Sequence, residues 1–323
     1  MNVEEFGDII KITLPTPFPV GDVNVFLIKG ERLTLIDAGV KTASSFEALV
    51  TGLSEIGYTL DDIEQVVLTH HHPDHIGLLD FLPEGTDVIG HPYCAKWLTK
   101  DPTFLQENLL FFRELFVQFG LPKEAEPVLK KIQSPLKFSS ENSALTIAVR
   151  EGDRLPGLKD WRIFETPGHA QSHLVFLREK DGTLIGGDHI LAAISSNPLI
   201  EPPFISGAER PKPQLQYNQS LKKMLELPID IVYTGHGEEV KNVVPLIKSR
   251  LERQHERAMS VKEMLREKPL TAFEVCMRLF PTVYKKEMSL TLSETAGQLD
   301  YLLDIGEAGV ERDDKGVLSY FLL

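Results

Sequence analysis

Short apolar runs dominate the first third of the chain. Ile9 to Leu14, Val23 to Ile28, Leu33 to Asp37 and Val66 to Thr69 have the length and composition of strands, and the stretch from Thr42 to Ile56 reads as a helix. Three further strand-like runs follow, Trp161 to Glu165, Thr183 to Gly187 and Ile229 to Tyr233. Between His75 and His169 lie 93 residues, more than a simple strand-helix return requires. In that excess, Asp101-Pro102 caps an expected helix through Phe119 that closes at Gly120, and a second helix is expected from Pro122 to Ile132. Phe104, Leu105, Leu109, Phe112 and Phe116 fall near helical spacing, while Phe111, Leu115 and Phe119 widen the stripe beyond one face. Such a stripe serves ordinary packing or a dimer contact, or it lines a lid or pocket wall for an apolar acyl group. Beyond residue 245 the pattern gives a long helix to Glu267, a second over Leu270 to Phe280 and a third over Ser293 to Gly306. A hairpin, Gly309 to Phe321, then turns at Asp314 to Gly316.

The chemistry sits where strands end. Thr69-His70-His71-His72-Pro73-Asp74-His75-Ile76-Gly77 follows one apolar run, and alternation points His70 and His72 the same way while turning His71 away. Pro73 bends the chain and brings Asp74 and His75 alongside, so one segment can serve two metal ions. Thr166-Pro167-Gly168-His169 ends the next run, Asp188-His189 ends another, and Thr234-Gly235-His236-Gly237 ends a fourth. A rigid sheet presents several loops at one edge in this way. Imidazole and carboxylate donors without thiolate suit zinc and also iron or manganese; zinc is favoured. His91 and His255 have no supporting constellation. The irregular, Pro- and Asn-bearing stretch after Asp188 is expected to border substrate. His173 and His189 stand as candidates to contact substrate or support the ligands, or as hydrogen-bonded structural histidines.

The motif and its partners resemble the metallo-β-lactamase superfamily, over roughly residues 8 to 245. The resemblance implies that His70, His72 and His169 hold one metal, that Asp74, His75 and His236 hold a second, and that Asp188 bridges them. It also implies that Asp37, in Leu33-Thr34-Leu35-Ile36-Asp37-Ala38-Gly39, orients neighbouring ligands. Asp-Ala-Gly equally fits a turn and helix cap before Thr42. The expected fold class is α/β (α+β), a four-layer αβ/βα sandwich. The catalytic domain would span 1–245, with a helical insert at about 101–133. A small domain at 246–323 has the helix, helix, helix and wing order of a winged-helix module, and resembles the C-terminal domain of a thioesterase-like subgroup that also includes an endoribonuclease. The histidine motif itself resembles glyoxalase II, with Leu78 where many relatives carry a second glycine.

Composition narrows the reading. A chain of 323 residues with 42% hydrophobic content has ample core, and no apolar stretch suits a membrane span. The acidic start, Met1 to Asp8, lacks the features of a signal peptide, so cytoplasmic residence is expected. Cys94 and Cys276 form no disulfide framework, and neither stands where a secreted β-lactamase places a thiolate ligand. A formal net charge of -13 disfavours an extended nucleic-acid surface. The stretch Ser293 to Gly306, which a winged-helix module would use for recognition, has three acids and no bases. Packing, dimerisation or pocket completion is therefore the expected use of this module, and a homodimer is allowed. The sequence thus reads as a binuclear metal hydrolase directing a bridging hydroxide at a small ester or thioester, with Asp74 both ligand and catalytic carboxylate. The alternatives are a metal-dependent endoribonuclease or phosphodiesterase, and a non-catalytic metal- or ligand-binding protein.

Overall fold

A computed structural model of the chain describes residues 2–323. They form two compact units. The first comprises residues 2–101, 135–196 and 223–244, and the second comprises 102–134, 197–222 and 245–323. The helical insert expected at about 101–133 thus clusters with the C-terminal third of the chain.

The first unit is built on a seven-stranded sheet in chain order: β1 (Val3–Phe6), β2 (Ile9–Leu14), β3 (Val23–Lys29), β4 (Leu33–Ile36), β5 (Gln65–Val67), β6 (Asp87–Gly90) and β7 (Ile147–Ala148). The first four strands pair antiparallel, and β4 through β7 pair in parallel. Parallel pairing points the ends of β4, β5 and β6 to one edge. Alternation divides these strands between two cores. Ile10, Ile12, Leu14, Val25, Leu27, Leu35, Val66 and Val88 pack with Leu49 and Leu53 of helix α1 (Ala43–Glu55). The intervening Ile9, Phe26, Ile28, Ile36, Val67 and Ile89 face the other way, against a second sheet.

That second sheet has five strands, in the order β12 (Ile231–Thr234), β11 (Thr183–Gly187), β10 (Leu174–Arg178), β9 (Leu158–Glu165) and β8 (Arg154–Leu155). It contributes Leu158, Trp161, Ile163, Leu174, Phe176, Ile185 and Tyr233 to the shared core. Because both faces of the first sheet are covered, a one-residue slip in register would exchange its two apolar sets, and the pairing is strongly specified. Short helices α2 (Pro73–Ile76) and α3 (Cys94–Leu98) follow β5 and β6.

The second unit has its own core. Helix α4 (Pro102–Gln118) and the shorter α5 (Glu126–Ile132) supply Leu115, Phe116 and Leu129, and Phe119 joins them from the turn after α4. These pack with Ala258 and Val261 of α7 (Val243–Met264), Val275 and Cys276 of α8 (Ala272–Leu279), and Leu292, Ala296, Leu299 and Leu302 of α9 (Met288–Asp304). The expected helix from Pro122 is interrupted: Lys123–Ala125 is a 3-10 turn before α5. A three-stranded antiparallel sheet, β13 (Leu270–Thr271), β15 (Leu318–Leu322) and β14 (Ala308–Arg312), completes the unit, with the expected hairpin between β14 and β15. Helix α9 starts ahead of Ser293 and is buried on more than one face. Its Gly297 leaves no room for a Cβ, which would stand 2.7 Å from the Gln214 side chain of α6 (Pro213–Met224). Buried Asp300 receives both carboxylate contacts from Arg210, at 2.7 and 2.9 Å.

Asp80 ties a loop of the first unit in place. Its carboxylate accepts from the backbone N–H of Glu141 and Asn142 and from Lys41 Nζ, at 2.7, 2.9 and 2.8 Å. Burial alone would raise its pKa, but Lys41 and the two amides outweigh it and hold the group below its ordinary value of 3.8. A depressed carboxyl contributes stability above its unfolded pKa and loses it as pH falls through the folded one. Asp80→Asn is expected to destabilise the protein by about 1–3 kcal/mol at neutral pH. In urea titrations, the gap from the unsubstituted protein should hold down to about pH 4 and close only below it.

Candidate metal centre

The edge at which β4, β5 and β6 end gathers the expected residues. His70 and His72 follow β5, and His72 immediately precedes α2, whose first position is Pro73, where a backbone amide would have no partner within the helix. This single turn places Asp74 and His75 back toward the strand end, with the His75 amide donating to His72 O at 2.9 Å. His169 comes from the loop after β9, Asp188 directly follows β11, and His236 follows β12. The start of β3 grips that last loop: Asn24 Nδ2 donates to Thr234 O and Gly237 O, and the Asn24 amide to Gly235 O.

Within the first unit three overlapping donor groups result, each with its donor atoms within 4.8 Å: His70, His72 and His169; His70, His75 and Asp188; and Asp74, His75 and His236. Asp188 lies between the outer two. Its Oδ2 is 3.4 Å from His169 Nε2 and 3.5 Å from His236 Nε2, and its Oδ1 is 3.5 Å from His75 Nε2. His236 Nε2 is also 3.3 Å from Asp74 Oδ2. Such separations suit donors that each lie about 2 Å from a shared cation. His75 Nε2, His236 Nε2 and Asp188 Oδ1 are buried with no partner in hydrogen-bond geometry among the described residues. Buried polar atoms are ordinarily satisfied, so the donor set fits a pair of divalent ions.

The outward nitrogens of these imidazoles are held. His75 Nδ1 lies 2.8 Å from Asp37 Oδ2, His236 Nδ1 lies 2.7 Å from Asp22 O, and His70 Nδ1 lies 3.0 Å from Thr69 Oγ1. Fixing one nitrogen turns the other inward. Asp37 also accepts from the Thr69 amide and hydroxyl, both at 2.7 Å. Its φ of 61° lies in the left-handed region, which Asp and Asn tolerate better than other side chains. Gly235 allows the close approach of Asp188, since a Cβ there would stand 2.2 Å from Asp188 Oδ1.

Charges in the cluster are strongly polarised. Burial and the neighbouring imidazoles of His75 and His72 push His70 well below its ordinary value; burial and His169 do the same to His72. For His236, burial acts downward, but Asp188 and Asp74 outweigh it and raise the group to about 10. The carboxyl of Asp188 lies well below its usual range, because His236 and His75 outweigh the effect of burial.

The remaining candidates lie close by. His173 is buried; its Nδ1 is 2.8 Å from Thr166 Oγ1, and its Nε2 accepts from the Asp188 amide at 3.1 Å. His189 is buried with its ring centre 6.0 Å from that of His173. His71 is also buried; its Nδ1 is 2.8 Å from Ser172 Oγ and its ring stacks on Trp97. His91, for which the sequence offered no constellation, lies 3.3 Å from Glu165 Oε1 and 3.3 Å from Arg150 Nη1. These partners lie too far along the chain for local spacing to reveal them.

Residues 18–236 match the family model described as the metallo-beta-lactamase superfamily. The chain belongs to this superfamily. It is 47% identical over 295 residues to the probable metallo-hydrolase YqjP of Bacillus subtilis (strain 168), covering 91% of this chain and 92% of that protein. A metallo-beta-lactamase family protein from Thermus thermophilus has a crystal structure similar to this one, with a TM-score of 0.79 and 26% identity over 98% of this chain and 99% of the other. A hydroxyacylglutathione hydrolase of Chelativorans sp. (strain BNC1) is 27% identical over 192 residues, 59% of this chain and 53% of its own length. The αβ/βα sandwich of the metallo-beta-lactamase superfamily thus carries, in this member, two donor clusters suited to a binuclear metal centre.

Asp37→Asn preserves size and backbone preference but replaces one accepting oxygen with an NH2 group, so at least one of its three donors loses its acceptor. Metal affinity, measured by competition with a chromophoric chelator, is expected to fall about 10- to 100-fold with the far-ultraviolet circular dichroism unchanged.

Proposed function

We propose that this protein is a binuclear metal-dependent hydrolase of small esters or thioesters. The observation that carries the reading is the placement of Asp188 between two histidine-rich donor groups, with His75 Nε2, His236 Nε2 and Asp188 Oδ1 facing inward without a hydrogen-bond partner among the described residues. In this reading His70, His72 and His169 would hold one ion and Asp74, His75 and His236 the other, with Asp188 available to both. Zinc is the preferred metal, and iron or manganese suits the same donors. Two bound divalent ions would supply Lewis acidity toward the acyl carbonyl and toward the water that attacks it.

The chain's own residues do the rest. Asp188 and Asp74 place carboxylate charge around the reacting water. Asp74 lies below its ordinary pKa because His75 and His236 outweigh burial, so it stays ionised and accepts a hydrogen bond from that water, orienting it. Asp37, through His75, and Asp22 O, through His236, keep both imidazoles from rotating. Water adds to the carbonyl, the acyl–sulfur or acyl–oxygen bond breaks, and the leaving group departs with a proton as thiol or alcohol.

Three observations support an acyl rather than a nucleic-acid substrate. The formal net charge is -13. The second unit's α7 to α9 with β13 to β15 is read as a winged-helix-like module, but its α9 buries Ser293, Ala296, Gly297 and Asp300, a face that groove insertion would need free. The similarity to a hydroxyacylglutathione hydrolase favours thioesters.

The test is a panel of acyl-CoA and glutathione thioesters with zinc- or manganese-loaded protein, an RNA oligomer being assayed in parallel. Thiol release is expected from the unsubstituted protein, with Asp74→Asn at least about 100-fold slower and the RNA intact. Cleaved RNA with untouched thioesters would overturn the assignment.

A further inference from the structure

The middle histidine of the motif is occupied differently from its neighbours. The His71 ring lies parallel to the Trp97 indole, with centroids 4.5 Å apart and an interplanar angle of 4°. Its Nδ1 stands 2.8 Å from Ser172 Oγ, in a contact buried on both sides. Three segments meet there. His71 lies between His70 and His72, Trp97 belongs to α3 after β6, and Ser172 lies on the loop that carries His169. The backbone joins the bases of two of these segments, the Leu174 amide donating to Thr69 O at 2.7 Å. Nearer the donors, the contact between the His71 ring and Ser172 links the same two loops.

We propose that His71 is a positioning residue, a strut between Trp97 and Ser172 that holds His70 and His72 in register with His169 and thereby sets the affinity of that one metal position. The inference rests on the metal-binding reading above but not on the substrate. A peptide on each side connects His71 to a ligand, so a backbone shift at His71, once its ring loses its seat against Trp97 or Ser172, would carry both neighbouring imidazoles with it. Donor groups of a metal site tolerate displacements of only about 0.5 Å before affinity falls. In the other donor group, His236 is held by Asp22 O and the Asn24 contacts on its loop, and His75 by Asp37, none of which passes through the strut.

The test is a cobalt(II) titration of the full chain, read by visible absorption and chelator competition, with Ser172→Ala, Trp97→Ala and Trp97→Phe. Ser172→Ala removes the hydroxyl and leaves the stack; Trp97→Ala removes the stack; Trp97→Phe restores an aromatic face. The unsubstituted protein should take up two equivalents. In Ser172→Ala and Trp97→Ala one equivalent should weaken about tenfold and its absorption bands should shift, while the other stays unchanged. Trp97→Phe should return the weakened equivalent toward its original affinity. A second reading comes from Trp161→Phe, which leaves Trp97 as the sole indole; its emission should change with occupancy of one equivalent only. Unaltered affinities and spectra in Ser172→Ala and Trp97→Ala would overturn the proposal. So would equal weakening of both equivalents with loss of circular dichroism, which marks general destabilisation. If the unsubstituted protein binds no cobalt, the metal reading itself fails and the strut with it.

Discussion

Asp37 holds three donors with one buried carboxylate: the amide and hydroxyl of Thr69 and the imidazole of His75. The first two fix where the chain leaves β5, and the third fixes which nitrogen of His75 faces the centre. Parallel pairing of β4 with β5 brings Asp37 to this place, and the left-handed backbone at Asp37 turns its side chain across the neighbouring strand end. Few residues satisfy both demands. Glycine would accept the backbone conformation and offer no acceptor, and glutamate would carry the charge on a side chain less suited to that φ.

From that fixed strand end, the rest of the centre follows as a problem of buried charge. Asp37, Asp74 and Asp188 lie in one buried neighbourhood with His75 and His236. Isolated, such carboxylates would be costly to bury. The raised pKa of His236 and the depressed one of Asp188 record their mutual stabilisation across 3.5 Å. Divalent ions would meet the same requirement more fully, giving His75 Nε2, His236 Nε2 and Asp188 Oδ1 a partner. The folding energy for holding unsatisfied atoms together comes from elsewhere, from the apolar cores on both faces of the seven-stranded sheet.

Much of this was legible in the chain because it depends on period and position. The alternating and apolar runs located β2 to β5, and the ligand types at their ends marked one edge. What escaped has identifiable causes. Strand β10, Leu174–Arg178, is uniformly buried and lacks alternation, so no period announces it. The start of α9 has no side-chain cap, and α6 follows a proline-rich stretch with only a narrow apolar stripe, Tyr217, Leu221 and Met224, among polar residues. The spatial partners of His71, His91 and His173 are contacts between loops remote in sequence. The clustering of 102–134 with the C-terminal helices reflects apolar side chains too numerous for one face of α4, a surplus visible in the sequence without its destination.

The central claim is that two metal ions share Asp188. Anomalous diffraction from crystals of the zinc-loaded protein, collected on both sides of the zinc absorption edge, addresses it directly. The account requires two peaks, one among His70, His72 and His169 and one among Asp74, His75 and His236, with the Asp188 carboxylate between them. A single peak, or zinc held by other side chains while His75 Nε2 and His236 Nε2 remain without a ligand, would contradict it.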